Sequence, residues 1–149
     1  MKNILRFAFV CLALIPAGCG DIPTCLDQES SLVKINFLDA AGKAKKITLV
    51  GVSALNNPDG FPEYADSTLS TMHLPLNPAD TVSTFILQQA GRSDTLGLSY
   101  SVTAKLISPE CGLDAAFDNL DTTHTTFEQL NIIQRTIHKD VEVNLEIIL

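Results

Sequence analysis

The sequence predicts an all-β domain, a β-sandwich of immunoglobulin-like architecture that follows an N-terminal signal segment. Residues 95–106 alternate polar and apolar side chains without a break, which is typical of a strand with one buried face. Seven or eight such segments recur at near-regular spacing, with turn-forming residues between them. No segment after the signal requires a helix longer than two turns. A small closed barrel is the alternative architecture.

Each strand is predicted from its own pattern. Val33, Ile35 and Phe37 alternate with polar residues, and the turn at 39–42 predicts a hairpin with the segment 45–52. Further strands are predicted at 68–76, 81–87, 95–106, 113–123 and 141–149, whereas 127–133 fits either a strand or one helical turn. The alternation of the last segment predicts that it pairs inside a sheet.

The N-terminus has the pattern of an export signal. A short basic start is followed by residues 7–17, which carry no charge but are too few to span a bilayer as a helix. The small pair Ala17-Gly18 precedes Cys19, as in a bacterial lipobox, although Pro16 replaces the usual leucine. We therefore expect lipidation of Cys19 and attachment to a membrane. The alternative is an ordinary secretion signal that is cut nearby.

The predicted organisation has three parts: a signal peptide at 1–18, a tether at 19–30 and a β-sandwich domain at 31–149. Because the signal carries Lys2 and Arg6 and no acid, its removal changes the net charge from −7 to −9. An acidic chain of this kind argues against nucleic-acid binding.

Two cysteines remain after the signal and the lipidation site are set aside, namely Cys25 and Cys111. Exported cysteines usually form a bridge. We expect a disulfide that links the start of the domain to the loop at Cys111, which would stabilise the fold by roughly 4–5 kcal/mol. Two free thiols are the alternative.

Motifs for catalysis, cofactors and metals are missing from the sequence. It lacks the nucleophile elbow, the phosphate loop, the dinucleotide fingerprint and the zinc-protease motif. His73, His124 and His138 have no partner at ligand spacing, and the acidic stretch 110–121 is best interpreted as a solvated face. The chain is therefore expected to be non-enzymatic, with no cofactor, no metal and no catalytic residues. A carboxylate pair from distant strands is left open.

The order of several short features resembles a family of uncharacterised lipoproteins from Bacteroidota. The matching pieces are Cys19-Gly20, Cys25-Leu26, the strand 32–37 with Asp39, 50–52, 74–76, 94–96 with Tyr100, and Ser108 with Cys111-Gly112. The resemblance implies one exported all-β domain that is anchored through its first cysteine. The family has no known activity, so the resemblance says nothing about mechanism.

That resemblance also implies O-glycosylation. Such bacteria attach glycans at Asp-Ser/Thr steps, and the chain offers four candidates, at Ser67, Thr81, Thr95 and Thr122. A glycan needs an exposed site. The alternative is turn chemistry, since Asp and Thr bond their own backbone in such places.

The function expected from these features is that of a non-catalytic lipoprotein of the cell envelope. It would be held in the outer membrane by its lipid, on the periplasmic or the surface side, and would act as a structural or assembly partner of a membrane-associated complex. Its envelope protein partner is unknown. The alternative is a surface carbohydrate- or peptide-binding module that uses Phe61, Tyr64 or Tyr100. A hydrolase is a third hypothesis.

Overall fold

The computed structural model describes residues 32–108, 112–138 and 140–149. Within them the chain forms strands, a single 3-10 turn at Pro62–Tyr64 and no α-helix. The strands are β1 Leu32–Leu38, β2 Ile47–Leu49, β3 Gly51–Ala54, β4 Ser67–Leu69, β5 Thr71–Pro75, β6 Val82–Gln89, β7 Arg92–Ser108, β8 Gly112–Thr125, β9 Gln129–Ile132 and β10 Leu145–Ile148. Among the described residues no helix has the length and apolar character needed to cross a bilayer.

Two four-stranded sheets form the body of the domain. The first sheet has the order β5-β1-β10-β9 and the second has the order β3-β6-β7-β8, while β2 and β4 form a small separate pair. One cluster of buried side chains draws on both sheets, including Phe37 and Leu145 of the first and Phe85 and Leu98 of the second. The predicted all-β sandwich is therefore confirmed. Each sheet has two edge strands, so the barrel alternative does not apply.

The predicted hairpin between 32–38 and 45–52 is wrong. Asp39 Oδ1 accepts hydrogen bonds from the amides of Ala41 and Lys43, both at 2.9 Å, and only the bridge between Leu38 and Ala44 follows this turn. The chain then leaves the first sheet. β1 instead pairs with β5 and β10, which cover both of its edges.

Two predicted single strands are each divided between sheets. The segment 45–52 breaks at Val50 into β2 and β3, and the segment 68–76 breaks at Ser70 into β4 and β5. The Val50 carbonyl accepts from the Asp66 amide at 3.2 Å, and the Ser70 carbonyl accepts from the Phe37 amide at 2.9 Å. These bonds hold the chain where it passes from one sheet to another.

The closing strand β10 lies inside the first sheet, as predicted, and runs parallel to β1. Asn144, just before β10, is fully buried. Its Oδ1 accepts from the Lys34 amide at 3.0 Å, and its Nδ2 donates to the carbonyls of Gln134 and Thr136 at 3.2 and 3.0 Å. One side chain thus joins β1, β10 and the segment that crosses back from β9.

Candidate functional site

The β7–β8 hairpin extends beyond the sandwich. β6 begins at Val82, opposite Ser99, so the part of β7 after this point has only β8 as a neighbour in the sheet. We call residues 101–108 and 112–118 the arm. Eight residues of extended strand span about 25 Å. At its base β8 also bridges to Ile137 through Phe117, and beyond that bridge the arm is a two-stranded ribbon that projects from one end of the domain.

One face of the arm is apolar from Val102 to Leu106 and on the facing part of β8. The cross-strand pairs on this face are Val102 with Phe117, Ala104 with Ala115, and Leu106 with Leu113. Phe117 is buried in the core, but Leu106 and Leu113 are 61% and 70% exposed. The buried face predicted for 95–106 therefore ends before its last residues, because no strand of the first sheet covers the outer arm.

Two irregularities in β8 shape the base of the arm. Gly97 lies opposite His124, and Thr123 is the extra residue of a bulge. A Cβ on Gly97 would lie 2.5 Å from Thr123 Oγ1 and 3.2 Å from the His124 carbonyl oxygen, so any other residue requires Thr123 to move and crowds the β8 backbone. At the second irregularity Asn119 has a φ of 56°, and its Nδ2 donates to Ser101 Oγ at 3.0 Å.

The arm lies at the end of the domain from which the chain leads back towards Cys19. β1 begins at Leu32, which pairs with Pro75 at the end of β5. Two residues further on, the Asn77 amide donates to the Tyr100 hydroxyl at 3.1 Å, where the arm begins. The start of β1 and the base of the arm are therefore neighbours.

A cavity of about 520 Å³ lies at the opposite end, beside the β6–β7 turn. It is lined by residues of the segment before β2, of β7 and of the end of β10, including Lys45, Lys46, Arg92, Asp94 and Ile148. The turn itself consists of Ala90 and Gly91, and β7 begins at Arg92, three residues before the predicted start at residue 95.

Asp94 organises the wall of this cavity. Its side chain is only 6% exposed, and Oδ2 accepts from Arg92 Nε at 2.7 Å and from Gln89 Nε2 at 2.9 Å. Oδ1 accepts from Thr126 Oγ1 at 3.2 Å. The hydrogen bond that Arg92 donates to Asp94 raises the pKa of the guanidinium. Sequence reasoning missed this site because Thr126 is 32 residues away from Asp94.

The three rings invoked for sugar or peptide binding are engaged by the protein itself. Tyr100 is 5% exposed, and its hydroxyl contacts Ser83 Oγ at 2.8 Å and donates to the Asn77 carbonyl at 2.9 Å. Tyr64 is half-buried, and its hydroxyl donates to the His73 carbonyl and accepts from the His73 amide, at 2.5 and 3.0 Å. Phe61 is also half-buried and packs against the core.

The candidate glycan sites differ in exposure. Thr81 is exposed in the loop before β6, whereas Thr95 and Thr122 are half-buried within β7 and β8. Ser67 is half-buried, and its hydroxyl donates to the Tyr64 carbonyl at 3.0 Å. Of the four, Thr81 has the geometry that best fits a bulky modification.

Several predicted features lie outside the described residues. These are the signal peptide, the whole tether at 19–30 with the lipidation site Cys19, and both cysteines of the expected disulfide, Cys25 and Cys111. Within the part of the chain that the structure describes, no group of three or more His, Cys, Asp or Glu side chains could hold a metal ion.

Comparison with known proteins gives a family without a function. Nothing among curated proteins and nothing among solved structures matches the chain. Residues 47–149 match a family of unknown function, DUF6452. The match covers the strands from β2 to β10, which include the arm and the residues around the cavity. The chain belongs to the DUF6452 family of unknown function.

Proposed function

We propose that the protein is a non-catalytic lipoprotein of the cell envelope that acts as an assembly partner of a membrane-associated complex and contacts that complex through its arm. The supporting observation is the pair Leu106 and Leu113, two cross-strand leucines that are both more than half exposed. Scattered single apolar residues on a surface need no explanation, but a continuous apolar face on a projecting ribbon indicates a contact surface.

The position of the arm suits a partner in or beside the membrane. Leu32 is 13 positions after Cys19, a span of at most about 45 Å for an extended chain. A lipid on Cys19 would therefore keep the base of the arm within that distance of the bilayer. A disulfide between Cys25 and Cys111 would bring the tip closer still, because Cys25 is only six positions after Cys19.

The contribution of the arm to the binding free energy follows from the exposed fractions of its two leucines. Full burial of a leucine contributes about 1.5–3 kcal/mol. Covering the exposed parts of both leucines should therefore contribute roughly 2–4 kcal/mol to binding. We expect the Leu106→Glu change to weaken association at least tenfold, because a buried carboxylate replaces an apolar contact.

Partner capture from detergent-solubilised envelope tests this proposal. The wild-type chain should recover a membrane protein that Leu106→Glu fails to recover. Leu55→Glu is the matched control, since Leu55 is 72% exposed but lies outside the arm. Equal recovery by wild type and Leu106→Glu would refute the docking surface.

The anchor needs a separate test. Cys19→Ser should move the protein from the membrane fraction to the soluble fraction, because the diacylglycerol can no longer attach. Protease treatment of intact cells would then distinguish the periplasmic from the surface side of the outer membrane. A Cys19→Ser protein that stays with the membrane would contradict lipid anchoring.

A further inference from the structure

The cavity at the end opposite the arm concentrates positive charge in an acidic protein. The whole chain carries a net charge of −7, yet Lys45, Lys46 and Arg92 all line this one cavity. The acidic side chains that line it are Asp94, which is already paired with Arg92, and Glu128, and the main-chain oxygen of Leu149 accepts from Lys45. Counted by side chains, the cations outnumber the acids by three to two.

Asp94 holds the Nε side of the Arg92 guanidinium and leaves the edge with the two Nη groups available to a ligand. Its Nε donates to the nearly buried Asp94 carboxylate at 2.7 Å, and its side chain is 55% exposed. Among the described residues, none accepts a hydrogen bond from its two Nη groups. A guanidinium that is held from behind by a carboxylate loses less conformational entropy when its outer edge binds a ligand.

Lys46 is a second cation at the cavity, and it forms no ion pair with the described part of the fold. Lys45 Nζ donates to the Leu149 main-chain oxygen at 3.0 Å, but Lys46 forms no ion pair with any described residue. Lys46 is exposed and follows Lys45 along the segment before β2. Its ammonium is therefore free to meet an anion in the cavity.

We propose that this cavity binds a ligand that carries a carboxylate group. The planar outer edge of Arg92 matches a carboxylate with two parallel hydrogen bonds, and Lys46 would supply a further contact. Inorganic phosphate, which arginine can also bind with two hydrogen bonds, is the competing anion that the test must separate from a carboxylate. The cavity volume of about 520 Å³ is within the usual range for small-molecule sites.

Four further residues of the cavity wall, two polar and two apolar, indicate the chemistry of the rest of the ligand. Gln89 Nε2 donates to Asp94, which leaves Gln89 Oε1 to accept from a ligand hydroxyl or amide. Thr48 adds a hydroxyl that also bonds the Thr68 hydroxyl at 3.1 Å, while the side chains of Ile47 and Ile148 add an apolar part of the wall. Acidic sugars and acidic peptides share this chemistry. The site is independent of the arm and of the lipid anchor.

Calorimetric titration of the full chain in detergent micelles tests the site. The probes are galacturonate, its neutral counterpart galactose, inorganic phosphate, and a short acidic peptide with its side-chain amide analogue. We expect at least one of the two acids to bind about tenfold more tightly than its neutral counterpart. The acid that does so identifies the sugar or the peptide as the source of the carboxylate.

Variants then connect the binding to Arg92. Arg92→Gln should weaken binding at least tenfold, and Arg92→Lys should also weaken it, because one ammonium cannot form two parallel bonds. Lys105→Gln on the arm removes the same charge far from the cavity and should leave the affinity unchanged. If Arg92→Gln fails to fold with Asp94 unpaired, Lys46→Gln provides the test and should weaken binding several-fold.

Three results would overturn the inference. The first is equal affinity for each acid and its neutral counterpart, or no binding of either acid. The second is tighter binding of phosphate than of both carboxylates. The third is an equal loss of affinity in Lys46→Gln and Lys105→Gln, which would mean that only the overall charge matters.

Discussion

Replacing Asn144 by alanine should cost the fold a large part of its stability. The change removes the acceptor of the Lys34 amide and the donors to the carbonyls of Gln134 and Thr136. Asn144 is fully buried, so water cannot easily replace these partners. At roughly 1 kcal/mol for each lost hydrogen bond, we expect a loss of about 3 kcal/mol in the free energy of unfolding.

Urea denaturation followed by far-ultraviolet circular dichroism measures this loss, since the chain has no tryptophan for fluorescence. With a slope of about 1–3 kcal/mol per molar urea, the midpoint should fall by about 1–3 M. Asn131→Ala is the matched control: Asn131 is exposed on β9, and the change should cost no more than about 0.5 kcal/mol. A loss below 1 kcal/mol for Asn144→Ala would refute the view that this side chain joins β1, β10 and the crossing segment.

Three further predictions concern the arm base, the buried tyrosine and the glycan. Gly97→Ala would place a Cβ 2.5 Å from Thr123 Oγ1 and should lower the stability by about 1–3 kcal/mol in thermal melts; an unchanged melting temperature would contradict the bulge argument. Tyr100→Phe should cost about 1–2 kcal/mol in urea titrations. Burial raises the pKa of Tyr100, so the folded chain holds a proton that the unfolded chain releases above about pH 10; stability should fall there with rising pH, and less steeply in Tyr100→Phe. Thr81→Ala should remove any glycan mass from the protein of the native host, and a bare wild-type mass would end the glycosylation hypothesis.

The sequence predicted strands far better than it predicted their neighbours. Period-two alternation depends only on which face of a strand each side chain occupies, and β7 follows that rule from Leu96 to Leu106. Alternation does not say whether a second sheet lies over that face. Leu98 is fully buried and Leu106 is 61% exposed, although the pattern treats them alike.

The prediction of a hairpin between 32–38 and 45–52 was wrong for a similar reason. Consecutive strands usually pair, which makes β1 and the segment after it the expected partners. β1 instead runs beside β10, with Ile35 opposite Leu145, more than a hundred residues later. No local pattern encodes a parallel pairing of that separation.

The sequence did not predict the cavity, and the reason differs from the two above. Lys45 and Lys46 begin the predicted segment 45–52, and Asp94 directly precedes the predicted strand 95–106, so each had an ordinary local explanation. Only the fold brings them to one wall beside Arg92 and Thr126. Chemistry that depends on residues from several strands cannot be predicted from the spacing within any one of them.

Site-specific photo-crosslinking in living cells tests the central claim most directly, namely that the outer arm contacts a membrane-associated protein. A photoreactive residue would replace Leu106, Leu113 or, as the control, Leu55. The account predicts an adduct with the same membrane protein from positions 106 and 113, none from 55, and its loss when Cys19→Ser releases the chain. Adducts only with lipid or with a second copy of the chain, or equal adducts from position 55, would contradict it.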